Sequence, residues 1–169
     1  RENMEFEYRT RSGGKIDILL MKSLPRDSKV IIDTKNYNEE LDNHIDQIKD
    51  YAYQEAALLA ILANGSELRI YGLLRGVAFE RSLLYSIHRK DLREESVWKT
   101  LSDFLGFDNL SNRSVLAKIE ERERQIKHAM TVEDEITEEC DNKLTENDLR
   151  IDGLEDEIEQ LKKKRDELE

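Results

Sequence analysis

An aspartate and a lysine stand two residues apart where an apolar run ends, in "VIIDTKNYNEEL" from Val30. Alternation along a strand puts Asp33 and Lys35 on one face of a sheet. A surface ion pair would account for them, and so would a metal site with a catalytic lysine. A second acid bears on the choice. The segment "KIDILLM" (15–21) also reads as a short buried strand, and "SLPRDS", with the one proline of the chain, turns between the two. In a symmetric hairpin centred on Pro25, residues whose numbers sum to 50 lie opposite, so Asp17 faces Asp33. Their β-carbons would then be about 5 Å apart. Two opposed carboxylates repel unless positive charge lies between them, and carboxylate oxygens are what Mg²⁺ prefers.

The next element repeats the theme. Leu41, Ile45, Ile48 and Ala52 recur at helical spacing and form one apolar stripe. His44, Gln47 and Tyr51 follow the same period on a polar flank, at the rim of the Asp17/Asp33/Lys35 cluster. Asn38 suits an N-cap, with Glu39 and Glu40 in the first turn.

These residues need a frame. "MEFEYRT" alternates as a strand and "SGG" turns it into "KIDILLM". "ALLAIL" reads as a buried strand, stopped by "NG" and followed by its hairpin partner "ELRIYGLL". The expected order is therefore strand, strand, strand, helix, strand, strand, an α/β domain over residues 1–106. From "VAFERSLL" onward the pattern predicts helix, with "SVWKTLSDFLGF" amphipathic around Trp98, Leu101 and Leu105.

Residues 107–169 read as a separate helical region. With Leu116 at position a of a heptad, eleven of the sixteen a and d sites through Leu168 are apolar, counting Cys140. That pattern predicts a coiled coil, tightest from Leu144 to Leu168, and self-association through residues 116–168. Thr131 followed by Asp134 offers an alternative, a new helix cap and a helical hairpin. Cys140, at a d site, reads as a small core residue of the coil.

Composition sets the limits. A chain of 169 residues, 38% apolar, can bury one sizeable core. The net charge of −11 divides unevenly, −2 over residues 1–106 and −9 over 107–169. The α/β part is therefore near neutral, which argues only weakly against a nucleic-acid partner. A single cysteine excludes an internal disulfide framework and a multi-cysteine zinc site. No apolar run is long enough to span a membrane and no signal-peptide pattern opens the chain, so a cytoplasmic protein is expected. A chain that starts at Arg1 is expected to have had a segment upstream.

"GGKID", "IIDTK" and "QIKDY", in that order and at hairpin-then-helix spacing, resemble the PD-(D/E)xK nuclease superfamily. The pattern is similar to the branch at the N-terminus of type I restriction enzyme R subunits, over about residues 5–75. The resemblance implies a restriction-endonuclease-like mixed β-sheet flanked by helices. It implies a Mg²⁺ ion, with Mn²⁺ as a substitute, held by Asp17, Asp33 and the backbone carbonyl of Thr34. Lys35 would position or activate the attacking water, Gln47 would arrange the site, and Tyr51 would touch the nucleic-acid backbone. His44, on the same flank, reads from its own position as a solvated helix residue or a phosphate contact rather than a metal ligand. Asp33 stands where the family more often has glutamate. The leading helix that often brings another acid is missing, and Glu5 and Glu7 are loose substitutes for it.

The expected function is thus a Mg²⁺-dependent endonuclease acting on DNA in restriction or phage defence, oligomeric through its coiled coil. Any motor or specificity subunit would be a separate partner. The alternative is a nuclease-fold module that binds or assembles without cutting.

Overall fold

The computed structural model describes residues 4–20, 28–73 and 77–166. Six strands form one mixed sheet in sequence order: β1 (Met4–Arg9), β2 (Lys15–Leu20), β3 (Val30–Thr34), β4 (Leu59–Ala63), β5 (Glu67–Gly72) and β6 (Leu83–His88). Every neighbouring pair is antiparallel except β3 and β4, which run parallel. A parallel pair needs a crossover. Here it is a single 3-10 turn (Leu41–His44) followed by helix α1 (Ile45–Glu55).

The expected register between β2 and β3 holds: Ile18, Leu19 and Leu20 lie opposite Ile32, Ile31 and Val30. The same sum carries Asp17 across from Asp33, one step beyond the last paired residues. The turn expected around Pro25 lies outside the described residues.

Alternation sorts the sheet into two buried faces. On one, Leu19, Ile31, Ala60, Leu62 and Tyr71 pack with Leu41, Ile48, Tyr51, Ala52 and Phe79. The α1 stripe foreseen from its spacing is therefore the one that packs. On the other face Val30, Leu59, Ile61 and Ile70 are fully buried. Burial on both sides explains why β3 and β4 read as continuous apolar runs.

Helices α2 (Glu95–Leu105), α3 (Phe107–Ser111) and the first turns of α4 (Val115–Asp166) supply buried Phe104, Leu110, Val115 and Ile119. Phe104 meets Tyr85 edge-on at 5.0 Å, and the Arg122 guanidinium lies 4.8 Å over the same ring. Residues 1–125 form one compact unit and residues 126–169 a second. No helix among the described residues is long and apolar enough to cross a membrane.

Four local expectations are corrected. Residues 83–88 are strand, not helix: pairing with β5 decides the conformation of "LLYSIH", whose β-branched and aromatic residues suit a sheet. Helix α1 begins at Ile45 rather than after Asn38, because Asn36 folds the preceding segment by donating its backbone N–H and Nδ2 to Glu39 Oε1. Trp98 is 59% exposed, and Phe104 takes the inward position on α2. The helical hairpin is absent, because α4 continues unbroken past Thr131, whose hydroxyl donates to the Lys127 carbonyl four residues back instead of capping a new helix.

One close approach ties the β1–β2 turn to α1. Gly14 sits so near Tyr51 that a β-carbon there would stand 2.6 Å from the ring Cε1 and 2.9 Å from the hydroxyl. Tyr51 is only 7% exposed and has little room to retreat. Gly14→Ala is therefore expected to destabilise the fold by about 1–3 kcal/mol, as overpacking does. Thermal denaturation of the variant checks this, and an unchanged midpoint would mean that the Tyr51 ring is not held there.

Candidate active site

The end of β3 carries Asp33 and Thr34, with Lys35 directly after. The strand continues straight there because the Lys35 N–H donates to the Ala63 carbonyl of β4 at 2.7 Å. On the neighbouring strand Asp17 accepts two bonds through Oδ2, from the Thr34 N–H at 2.7 Å and the Thr34 hydroxyl at 2.5 Å. The hairpin thus fixes one carboxylate against the backbone that bears the other.

Asp33 is 3% exposed. Its Oδ2 lies 2.8 Å from the Lys35 ammonium, at ion-pair distance. No described residue other than Lys35 answers that oxygen. Burial pushes the Asp33 carboxyl above its ordinary value; Lys35 acts in the opposite direction, and the charge on Asp17 adds to the upward shift.

Lys35 is held from the helix side. Its Nζ donates to Gln47 Oε1 at 2.7 Å, and Gln47 Nε2 donates to the Tyr51 hydroxyl at 2.9 Å. Asp33, Lys35, Gln47 and Tyr51 therefore form one connected relay from sheet to helix. Tyr51 belongs to the hydrophobic core, where its ring is packed and its hydroxyl is engaged by Gln47. His44 stands apart from the relay, with Nε2 2.8 Å from Glu39 Oε2. Glu7 is exposed and paired with Lys15 at 2.6 Å.

The donor set can be weighed for a divalent ion. Among the described residues no group of three or more His, Cys, Asp or Glu side chains is placed to hold one. Asp17 and Asp33 are two carboxylates brought together by adjacent strands, and Asp33 Oδ2 is a buried oxygen answered by Lys35 alone. Mg²⁺ is commonly held by one or two carboxylates while keeping several waters, so the pair fits that ion and not a full protein cage. Lys35 supplies positive charge at the position where such an ion would relieve Asp33.

A second feature was missed in the sequence. Tyr37, Ser66, His88, Arg89, Lys90, Leu92 and Arg93 line a groove of about 750 Å³. His88, Arg89, Lys90 and Arg93 are all exposed and form no ion pair with the described residues. Tyr37 joins the groove two residues beyond Lys35, so it adjoins the same end of β3. The signal was present as "HRKDLR", four basic side chains in six residues of an acidic protein. It was hidden because the strand that precedes and presents it was expected to be helix; residues 89–93 themselves are a short 3-10 helix.

Comparison with family models, curated proteins and solved structures yields no match to this chain.

The raised Asp33 pKa has a signed consequence for the metal-free protein. The native state holds this proton more tightly than the unfolded chain does, so Asp33 favours folding in acid. That contribution is lost as pH rises from the ordinary aspartate range through the native value. Asp33→Asn removes the titration. The difference in thermal midpoint between variant and wild type should shift in the variant's favour as pH rises, and a shift the other way would show that ionised Asp33 stabilises the fold.

Proposed function

We propose that this chain is a metal-dependent endonuclease of the PD-(D/E)xK type that hydrolyses DNA phosphodiester bonds. The observation that carries the reading is the buried Asp33, set across a hairpin from Asp17 and joined through Lys35 to Gln47. A plain ion pair would sit at the surface, whereas this acid is buried and its lysine part-buried at a strand end beside a second carboxylate, an arrangement that phosphodiester hydrolysis can use. Asp17 and Asp33 would hold Mg²⁺, or Mn²⁺ in its place, beside Thr34. The ion would supply Lewis acidity at the phosphate. The Lys35 ammonium, aimed by Gln47, would orient the attacking water and offset the negative charge that develops on the phosphate oxygens. Tyr51 would keep Gln47 in place.

The groove beside the site supports DNA as the substrate. Local field, not net charge, governs approach to a phosphate backbone. Arg89, Lys90, Arg93 and His88 would follow the backbone, and Tyr37 offers a ring for a base or sugar.

Cleavage of plasmid, linear and single-stranded DNA with Mg²⁺, Mn²⁺ or EDTA tests the chemistry. Metal-dependent cutting is expected, and Asp33→Ala and Lys35→Ala should each reduce it by about 10²-fold or more. Cutting that persists in both variants would remove the site from the reaction. One observation favours a second reading, a module that binds DNA without cutting: only two carboxylates converge on the site. No cleavage under any condition, with DNA binding retained, would select that reading.

Binding can be followed separately. Arg89→Ala and Lys90→Ala should weaken DNA binding evenly across sequences and lower the salt dependence by about one ion each. Unchanged affinity in both variants would place the DNA elsewhere.

A further inference from the structure

The second compact unit, residues 126–169, presents a row of large apolar side chains to solvent. Leu144, Ile151, Leu154, Ile158 and Leu161 are each more than half exposed. They fall on the a and d positions of one heptad register, so they share one seam of α4. A contiguous apolar seam of this kind marks an association surface.

We propose that this seam is closed by a second copy of the chain, as a parallel, in-register, two-stranded coiled coil centred on residues 143–162. Three independent features of the segment agree on that occupant. The first is side-chain shape. The a sites hold Leu144, Ile151 and Ile158 and the d sites Asn147, Leu154 and Leu161, and the isoleucine-at-a, leucine-at-d pattern of the last two heptads favours two parallel strands over three or four.

The second is charge. In a parallel pair each g residue meets the e residue five positions on in the other helix. Lys143 then meets Asp148, Arg150 meets Glu155, and Glu157 meets Lys162, so all three successive pairs are of opposite sign. All six side chains are exposed; Lys143 pairs with Glu139 along its own helix in the single chain, and reaching Asp148 of the second copy means exchanging that contact. An antiparallel pair with the same apolar layers stacked would bring Asp148 against Glu155.

The third is the polar layer. Asn147 occupies a d site, and only in the parallel, in-register arrangement does it face Asn147 of the second copy and find an amide partner. The antiparallel arrangement sets it against Ile158 and leaves its amide unpaired. A polar pair of this kind fixes register. None of this depends on whether the sheet domain cuts DNA.

The one cysteine provides the test. Cys140 is exposed and lies at the d site just before Leu144. In the parallel, in-register coil it faces its own copy at a separation a disulfide can bridge. The full chain should sediment as a dimer at micromolar concentration, and mild oxidation should convert it to a covalent dimer that thiol reverses. Cys140→Ser should stay dimeric and resist cross-linking. Arg150→Glu and Glu155→Arg should each weaken the dimer by about tenfold, and the double variant should recover it. A monomer, a trimer, or a dimer that oxidation cannot link would overturn the proposal, as would charge reversals that leave dimer affinity unchanged.

Discussion

Burying the Asp33 carboxylate is the constraint from which the rest of the sheet domain follows. An isolated charge in an apolar interior costs several kcal/mol, and the residue neutralises unless something answers it. Lys35 answers it at 2.8 Å, but a lysine can stay in such a position only if its own stem and ammonium are held. Gln47 does this from α1, Tyr51 holds Gln47, and Gly14 leaves room for the Tyr51 ring. The relay therefore fixes the helix against the sheet at a defined rotation. Buried ion pairs seldom add net stability over apolar residues of similar volume. The large core around Ile31, Ile48 and Leu62 must offset this one.

The parallel step between β3 and β4 gives the site its position. Where two parallel strands are joined by a helix, their carboxyl ends form a rim where loops open to solvent. Asp33, Thr34 and Lys35 leave β3 at that rim, and Ala63, Asn64 and Gly65 leave β4 beside them. Asn64 shapes the turn by accepting from the Ser66 and Glu67 N–H groups while its Nδ2 donates to the Glu39 carbonyl. The loop carrying Tyr37 is thereby tied to the β4–β5 turn, and Arg89 closes the same corner by donating its N–H to the Ser66 carbonyl. One strand end thus serves both the acid–lysine cluster and the basic groove.

What could be read in advance depended on whether the signal was local. The pairing of β2 with β3 follows from alternation and one turn, so the juxtaposition of Asp17 and Asp33 was legible. The α1 stripe was legible for the same reason, since Leu41, Ile48 and Ala52 are spaced by the helix period itself. Strand β6 was not, because "LLYSIH" has no clean period and acquires its conformation from β5. Its loss concealed the groove, whose cations fall just after that strand. Trp98 misled because its bulk suggests burial, yet Phe104 is the ring that fits against Tyr85. The burial of Tyr51 was hidden in a glycine, since only the missing side chain of Gly14 admits the ring.

The two units satisfy their apolar surface by different means, and their charge follows from that. The sheet domain covers both of its faces with its own helices, so it can remain close to neutral and concentrate cations in one groove. Helix α4 beyond residue 126 carries its main apolar stripe on one seam, with Val132, Ile136 and Leu149 exposed outside it. Its acidity keeps the remaining faces hydrated and discourages unspecific association. In the dimer proposed above, the alternation of sign at the e and g positions would favour one partner geometry among those the apolar seam alone would tolerate. Uniformly acidic flanks would have kept two such helices apart, and uniformly apolar ones would have let them slide. The mixture of Lys143, Asp148, Arg150, Glu155, Glu157 and Lys162 does neither, so in the proposed dimer charge would bear on both register and affinity.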